Sequence, residues 1–144
     1  MKQWNNLFSV LIVDDSEIIR ERISTSLKEM EFKAKISFAK SASDAITMIE
    51  ELSPHIVILD IRLYDGTGID VLQAMKGKKT RPIFIVLTNF PYPEYKKKCK
   101  LLGAKYFFDK TMEFEKAVAL VQKFANENQK KNSLERFPAE QFCL

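Results

Sequence analysis

Apolar residues in this chain come in short dense runs, separated by segments where they recur every three or four positions. Leu7 to Val13 is apolar almost throughout and stops at two acids, Asp14 and Asp15. Ile56 to Leu59 follows Pro54 and stops at Asp60. Four residues are too few for a helix, so this run predicts a strand buried on both faces, a central strand of a parallel sheet. Ile83 to Leu87 follows Pro82 and ends in Thr88-Asn89, and Tyr106 to Phe108 ends at Asp109-Lys110. Lys33 to Ala39 is different: Ala34, Ile36 and Phe38 alternate with polar neighbours, as in a half-buried outer strand.

The intervening segments carry the helical period. Ser16 to Met30 places Ile19, Ile23, Leu27 and Met30 on one face and Arg20, Glu21, Lys28 and Glu29 elsewhere. Ser41 or Ser43 caps a second helix with Ala45, Ile46, Ile49 and Leu52 as its stripe. Asp65-Gly66 reads as a turn, and a third helix runs from about Gly68 to Lys76 on Ile69, Leu72 and Met75. Pro91 and Pro93 bracket the start of a fourth helix, the one place in a helix that tolerates proline. It turns Tyr95, Cys99 and Leu102 inward, leaves Lys96, Lys97, Lys98 and Lys100 to solvent, and stops at Gly103. The last helix spans about Met112 to Asn126, with Phe114, Ala117, Val118, Val121 and Phe124 on one face. Five strands alternating with five helices through short loops predict an α/β fold with a parallel sheet. The folded domain is expected over residues 1–127. Residues 128–144 keep no period and are expected to be a loosely ordered tail.

Composition narrows the class without changing the fold. A chain of 144 residues, 46% hydrophobic, suits one domain with a proper core. A formal charge of +4 is too weak to imply nucleic acid, so no direct DNA binding is expected. No apolar run suits a membrane span, and the N-terminal stretch ends in acids, unlike a signal peptide. Cys99 and Cys143 make no disulfide or zinc pattern. The expectation is a reduced, cytoplasmic protein with no membrane contact. His55, the sole histidine, precedes the central strand and is expected to be structural, and Trp4 to be an N-terminal packing residue.

The chemistry lies in what ends each strand. Asp14 and Asp15, Asp60, Thr88 and Lys110 all fall on the carboxyl edge of a parallel sheet, where open α/β folds bind ligands. Three crowded carboxylates repel unless a cation is present, and all-oxygen ligation suits magnesium. A carboxylate nucleophile can take a phosphoryl group while the metal, an ammonium and a hydroxyl hold its oxygens. Singly, each residue has a blander role. Asp14 with Glu17 fits a capping box, Thr88 and Asn89 fit a helix cap, and Lys110 fits a surface ion pair. All four strand ends carrying these types together favours a single pocket.

Leu-Ile-Val-Asp14-Asp15-Ser, Ile-Val-Ile-Leu-Asp60-Ile-Arg-Leu-Tyr-Asp-Gly-Thr-Gly, Val-Leu-Thr88-Asn and Gly-Ala-Lys-Tyr-Phe-Phe-Asp-Lys110 resemble, in order and over about residues 7–126, the receiver domain of two-component response regulators. The resemblance implies a flavodoxin-like (βα)5 doubly wound sheet in the order 2-1-3-4-5. It makes Asp60 the phosphoacceptor and gives Mg2+ to Asp14, Asp15, Asp60 and the main-chain carbonyl of Arg62. Thr88 then reaches the phosphoryl group, Lys110 pairs with it, and Phe107 is the aromatic switch residue. Arg62 and Asn89 are expected to tune the acyl phosphate lifetime. Two departures stand out. Thr111 replaces the usual proline after Lys110, which predicts a trans or rearranged loop there. Tyr64 replaces a common proline after Asp60, which leaves that loop more mobile or adds a contact surface.

The function so implied is a stand-alone signalling switch rather than a metabolic enzyme. Its phosphodonor is a histidine kinase or phosphotransfer protein. Its output is a shift of the face built from the fourth helix, fifth strand and fifth helix toward a protein partner, with a homodimer possible. The lysine run on that face would favour an acidic partner. The alternative is a receiver-like interaction module that works without phosphorylation. An aspartyl phosphatase is disfavoured because Ser16, not an acid, stands two after Asp14. Nucleotide-binding enzymes are disfavoured because no GxxxxGK[ST] or GxGxxG occurs.

Overall fold

Strands form where the apolar runs stand: β1 (Phe8–Val13), β2 (Ala34–Ala39), β3 (Ile56–Leu59), β4 (Ile83–Thr88) and β5 (Tyr106–Asp109). They pair in parallel in the order β2-β1-β3-β4-β5 in this computed structural model, which describes residues 7–29, 34–79 and 81–136. The helices between them are α1 (Glu17–Lys28), α2 (Ala42–Leu52), α3 (Gly68–Met75), α4 (Pro93–Leu101) and α5 (Phe114–Arg136). This is the flavodoxin-like (βα)5 order expected of the sequence, with its switch point between β1 and β3. Met30, Lys33, Trp4 and Cys143, each given a place from sequence, lie outside the described residues. No described helix is long and apolar enough to cross a membrane.

The central strands are apolar without interruption because both faces of the sheet are covered. Leu11, Val13, Val57, Leu59, Phe84 and Val86 pack with α2, α3 and α4 through Ala45, Ile49, Val71, Leu72, Met75 and Cys99. Their alternates Val10, Ile12, Ile56, Ile58, Ile85 and Leu87 pack with α1 and α5 through Ile23, Leu27, Phe114, Val118 and Val121. At the edge, β2 is only half-buried, as its alternation predicts, but Phe38, on the apolar side of that alternation, is exposed because no further element covers the end of this outer strand. Burial raises the Cys99 thiol to about 11, so it stays protonated and inert.

Register sets the site. Val13 pairs with Leu59, and Leu59 with Val86. Asp14 and Asp60 therefore leave the sheet side by side, and the Asp60 amide donates to the Val13 carbonyl at 3.0 Å. Thr88 pairs with Asp109, so Lys110 emerges one residue beyond that rung.

Some local expectations change. Ser16, not Asp14, caps α1, and its hydroxyl accepts from the Ile19 amide. Of the two candidate caps for α2 the structure uses Ser41. Leu52 is substantially exposed at the end of α2 rather than part of its buried stripe. Thr88 and Asn89 do not cap α4: its N-cap is Tyr92, with no side-chain bond, and Pro93 opens the helix. The last helix starts at Phe114 and continues to Arg136, so residues 128–136, expected in a loose tail, are helical. Among the side chains described, its last core contact is Ala125. Beyond that point Lys and Gln are good helix formers, and no glycine or proline interrupts the chain before Pro138.

Candidate functional site

Asp14 and Asp60 are almost fully buried at the carboxyl edge of the sheet, 3% and 7% exposed, while Asp15 beside them is exposed. One carboxylate oxygen from each of the three lies within 4.8 Å of the others. Lys110, itself buried, reaches in from the end of β5. Its ammonium donates to Asp14 Oδ2 at 2.6 Å and to Asp60 Oδ2 at 2.8 Å. The remaining oxygens are held by the chain: Asp14 Oδ1 accepts from the Ser16 amide at 2.9 Å, and Asp60 Oδ1 from the Ile61 amide at 2.7 Å. Lys110 is thus a buried bridge between two strand ends, not the surface ion pair that its residue type alone allows.

One ammonium bridges the two buried carboxylates, with the exposed Asp15 beside them, and burial weighs most in their electrostatics. Burial pushes the Asp14 carboxyl above its ordinary 3.8, despite the hydrogen bonds from Lys110 and the Ser16 amide, and nearby Asp60 adds to the rise. At Lys110 burial favours the neutral amine, but the bonds to Asp14 and Asp60 outweigh it and hold the pKa above 10.5. The ammonium therefore stays charged. The donor set fits a hard divalent cation: carboxylate oxygens only, one of them solvent-facing, with an excess of negative charge that a single lysine leaves uncompensated.

Thr88 is fully buried at the end of β4, and its hydroxyl oxygen accepts from the Phe90 amide at 3.1 Å. Its carbonyl accepts from the Lys110 amide at 2.8 Å, which ties the last two strand ends together. Across the same gap the Thr111 hydroxyl donates to Asn89 Oδ1 at 3.3 Å. No peptide bond among the described residues is cis, so the Lys110-Thr111 bond is trans, as the missing proline predicts. Phe107 is not in the acidic pocket. It is half-buried, two residues before the Thr88–Asp109 rung, and packs with Tyr95 against the core on the α2–α4 side.

The segment after Asp60 is more ordered than a simple turn. Arg62-Leu63 pairs antiparallel with Gly66-Thr67, and Leu63 is buried in the core. The Arg62 guanidinium stacks 3.7 Å from the centre of the Phe90 ring, while Tyr64 is 77% exposed. Two participants were not singled out from sequence. Arg20 donates to the Asp14 carbonyl at 2.8 Å from one turn into α1. Asp65 reaches across to α2. Arg20 meets its partner within the β1–α1 joint, where its residue type gives no signal of the contact, and Asp65 meets Ala42 and Ser43 only once the fold brings its loop to α2.

Residues 10–122 match the family model for the response regulator receiver domain. Among curated proteins, the chain is 33% identical over 82 residues to the acid tolerance regulatory protein ActR of Rhizobium meliloti, a match covering 57% of this chain and 41% of that protein. It is 29% identical over 118 residues to the sensory transduction protein LytT of Enterococcus faecalis, covering 82% of this chain and 48% of that one. The matched segment is thus less than half of either relative. Among solved structures, a DNA-binding response regulator of the LuxR family from Staphylococcus aureus aligns with a TM-score of 0.73 and 28% identity, covering 83% of this chain and 99% of that chain. A CheY-like receiver domain protein from Methanospirillum hungatei shares the fold at a TM-score of 0.74 and 22% identity, covering 87% and 98%.

Proposed function

This chain belongs to the response regulator receiver domain family, and on that premise we propose that it is a phosphorylatable switch whose acceptor is Asp60. The observation that carries the reading is the buried bridge of Lys110 between Asp14 and Asp60 on adjacent strand ends. A lone acid opening a turn would need no such partner.

Members of the family interact with histidine kinases and effectors. Here a histidine kinase or phosphotransfer protein presents a phosphohistidine at the carboxyl edge. A carboxylate oxygen of Asp60 attacks phosphorus, the new O–P bond forms as the N–P bond breaks, and the electron pair stays on the donor imidazole. Asp14, Asp15, Asp60 and the main-chain carbonyl of Arg62 would hold Mg2+, which would supply neutralising charge for the phosphoryl oxygens. Lys110 already points its ammonium at Asp60 and exchanges part of that contact for a phosphoryl oxygen. Thr88 accepts a hydrogen bond through its oxygen, so its own proton is free to be donated to the phosphoryl group.

Phosphorylation adds roughly −1.5 to −2 charge. As Thr88 turns toward it, Phe107 swings inward and the α4–β5–α5 face changes packing. That face is the output surface toward a protein partner or a second copy of the chain. The four lysines of α4 form no ion pair among the described residues, which supports an acidic partner. A phosphohistidine donor of this kind implies a switch that works in the cytoplasm.

Acetyl phosphate labelling followed by intact mass tests the reading. One phosphoryl adduct that needs Mg2+ and disappears in Asp60→Asn is expected. A folded wild-type protein that takes no adduct from acetyl phosphate or from a protein donor would instead make the chain a phosphate-independent interaction module.

A further inference from the structure

The first turn of α2 has an unusual source for its acceptors. Of the amides that no helix can satisfy for itself, that of Asp44 donates to the Ser41 hydroxyl, the ordinary N-cap. The two before it go elsewhere. The Ala42 amide donates to Asp65 Oδ1 at 2.7 Å, and the Ser43 amide donates to Asp65 Oδ2 at 3.2 Å. The Ser43 hydroxyl donates to the same oxygen at 3.2 Å. One carboxylate from the loop after Asp60 therefore caps a helix 22 and 23 residues earlier in the chain. Its charge sits at the positive end of the helix, and the bonds hold its carboxyl below the ordinary 3.8.

The loop has other anchors, but none at its tip. The Gly68 amide donates to the Ile61 carbonyl at 2.7 Å, and Thr67 and Asp70 form a capping box at the start of α3. Leu63 is buried, yet Tyr64 and Asp65 themselves are exposed. Among the described residues, the Asp65 carboxylate alone supplies side-chain hydrogen bonds from this tip to the body. The tip lies against α2 at ordinary contact distance: a Cβ on Gly66 would stand 3.6 Å from the Ala42 Cβ.

We propose that Asp65 is a positioning residue for the phosphoacceptor loop, clamping the tip onto α2 so that the main chain at Arg62 and Asp60 is held ready for the cation and the phosphoryl group. The inference rests on the function proposed above. It adds that α2, which contributes no residue to the pocket, sets the geometry of the loop that does.

Asp65→Ala, Asp65→Asn and Ser43→Ala, with wild type, test it in two measurements. The first is amide hydrogen exchange over residues 61–68 in metal-free protein. The second is Mg2+ affinity by calorimetry, without any phosphodonor. Loss of a carboxylate that orients a metal-binding group typically weakens the metal about 10-fold or more. Asp65→Ala is expected to lose about that factor in Mg2+ affinity and to exchange faster at Leu63 and Gly68. Asp65→Asn, which keeps an acceptor for the Ala42 amide, is expected to recover part of both. Ser43→Ala, losing one bond of three, should move each less. A lower melting temperature with unchanged loop exchange, or faster exchange with unchanged Mg2+ affinity, overturns the proposal and leaves Asp65 a plain helix cap. Wild-type protein that binds no Mg2+ while Asp65→Ala still loosens the loop would overturn the assigned function rather than the clamp.

Discussion

His55 is the one side chain whose ordinary titration falls in the physiological range, and its surroundings fix its state. The ring stacks on Phe8 with centroids 5.0 Å apart and planes 18° apart, and Nδ1 accepts from the Ser9 amide at 3.0 Å. A backbone amide can only donate, so Nδ1 carries no proton and the neutral ring has its hydrogen on Nε2. Protonation would cost that bond, and partial desolvation of the ring already lowers the pKa below 6.5. The sign follows from linkage: the unfolded chain takes up the proton at a higher pH than the native one. The stability His55 contributes is complete above 6.5 and is lost as pH falls through its lowered native value. Urea unfolding from about pH 8 to about pH 5, where only histidine among ordinary side chains changes charge, is expected to show stability declining with acid. The decline should flatten in His55→Gln; equal slopes in the two proteins would show that another group is responsible. The residue sits at the edge of the sheet opposite the acids, where its place before the central strand put it.

At the scale of elements, the joint between β3 and α3 is the tightest in the site. A Cβ on Gly68 would lie 2.2 Å from the Asp60 carbonyl oxygen and 3.0 Å from Leu59 Cγ. The first of these is main chain and has no rotamer to yield. Gly68→Ala must therefore push α3 off the end of β3, at a cost of about 2–3 kcal/mol by analogy with overpacked cores. Gly77 makes an internal comparison: its φ is +81, but a Cβ would meet nothing within 4 Å. Gly77→Ala should cost only the left-handed backbone penalty of about 1 kcal/mol. Denaturant unfolding of both variants is expected to rank Gly68→Ala as clearly worse, with only that variant shifting the Asp60 amide resonance. The reverse order would mean that backbone conformation, not the close approach, limits this joint. These joints also mark where sequence is and is not legible. Apolar runs ending in Asp14, Asp60, Thr88 and Lys110 disclosed the strands and the pocket, because parallel register aligns strand ends without further information. Asp65 read as a turn residue because its partners, Ala42 and Ser43, lie on a helix that the sequence places no closer than any other. The end of α5 was missed for a different reason. Once the apolar stripe finishes at Ala125, a polar helix and a polar coil have the same pattern, and only helix propensity separates them.

Taken whole, the molecule gathers its strongest unbalanced charge at one edge of an otherwise apolar sheet. Two buried carboxylates share the charge of Lys110 beside an exposed third, and burial, with a smaller push from Asp60, raises the carboxyl of Asp14. Global stability should therefore respond to a divalent cation that only the native fold can gather between the ends of β1 and β3. A ligand at 100 times its dissociation constant adds about 2.7 kcal/mol, which for a domain near this size is a rise of roughly 10 °C in melting temperature. Wild-type protein is expected to show such a rise on adding Mg2+. Asp15→Asn should melt like wild type without metal, because Asp15 is exposed and carries no internal hydrogen bond among the described residues, yet it should gain little from Mg2+. Lys110→Met should behave in the opposite sense. Removing the buried ammonium leaves Asp14 and Asp60 uncompensated, a loss of about 3–5 kcal/mol where one partner of a buried pair is deleted. Mg2+ should then restore more stability to Lys110→Met than it adds to wild type, since the cation takes over the charge that the lysine supplied. Thermal unfolding of the three proteins with and without Mg2+ reads all of these at once. Equal Mg2+ shifts in wild type and Asp15→Asn would place the cation away from the three carboxylates, and the charge deficit at this edge would then need a different counterpart.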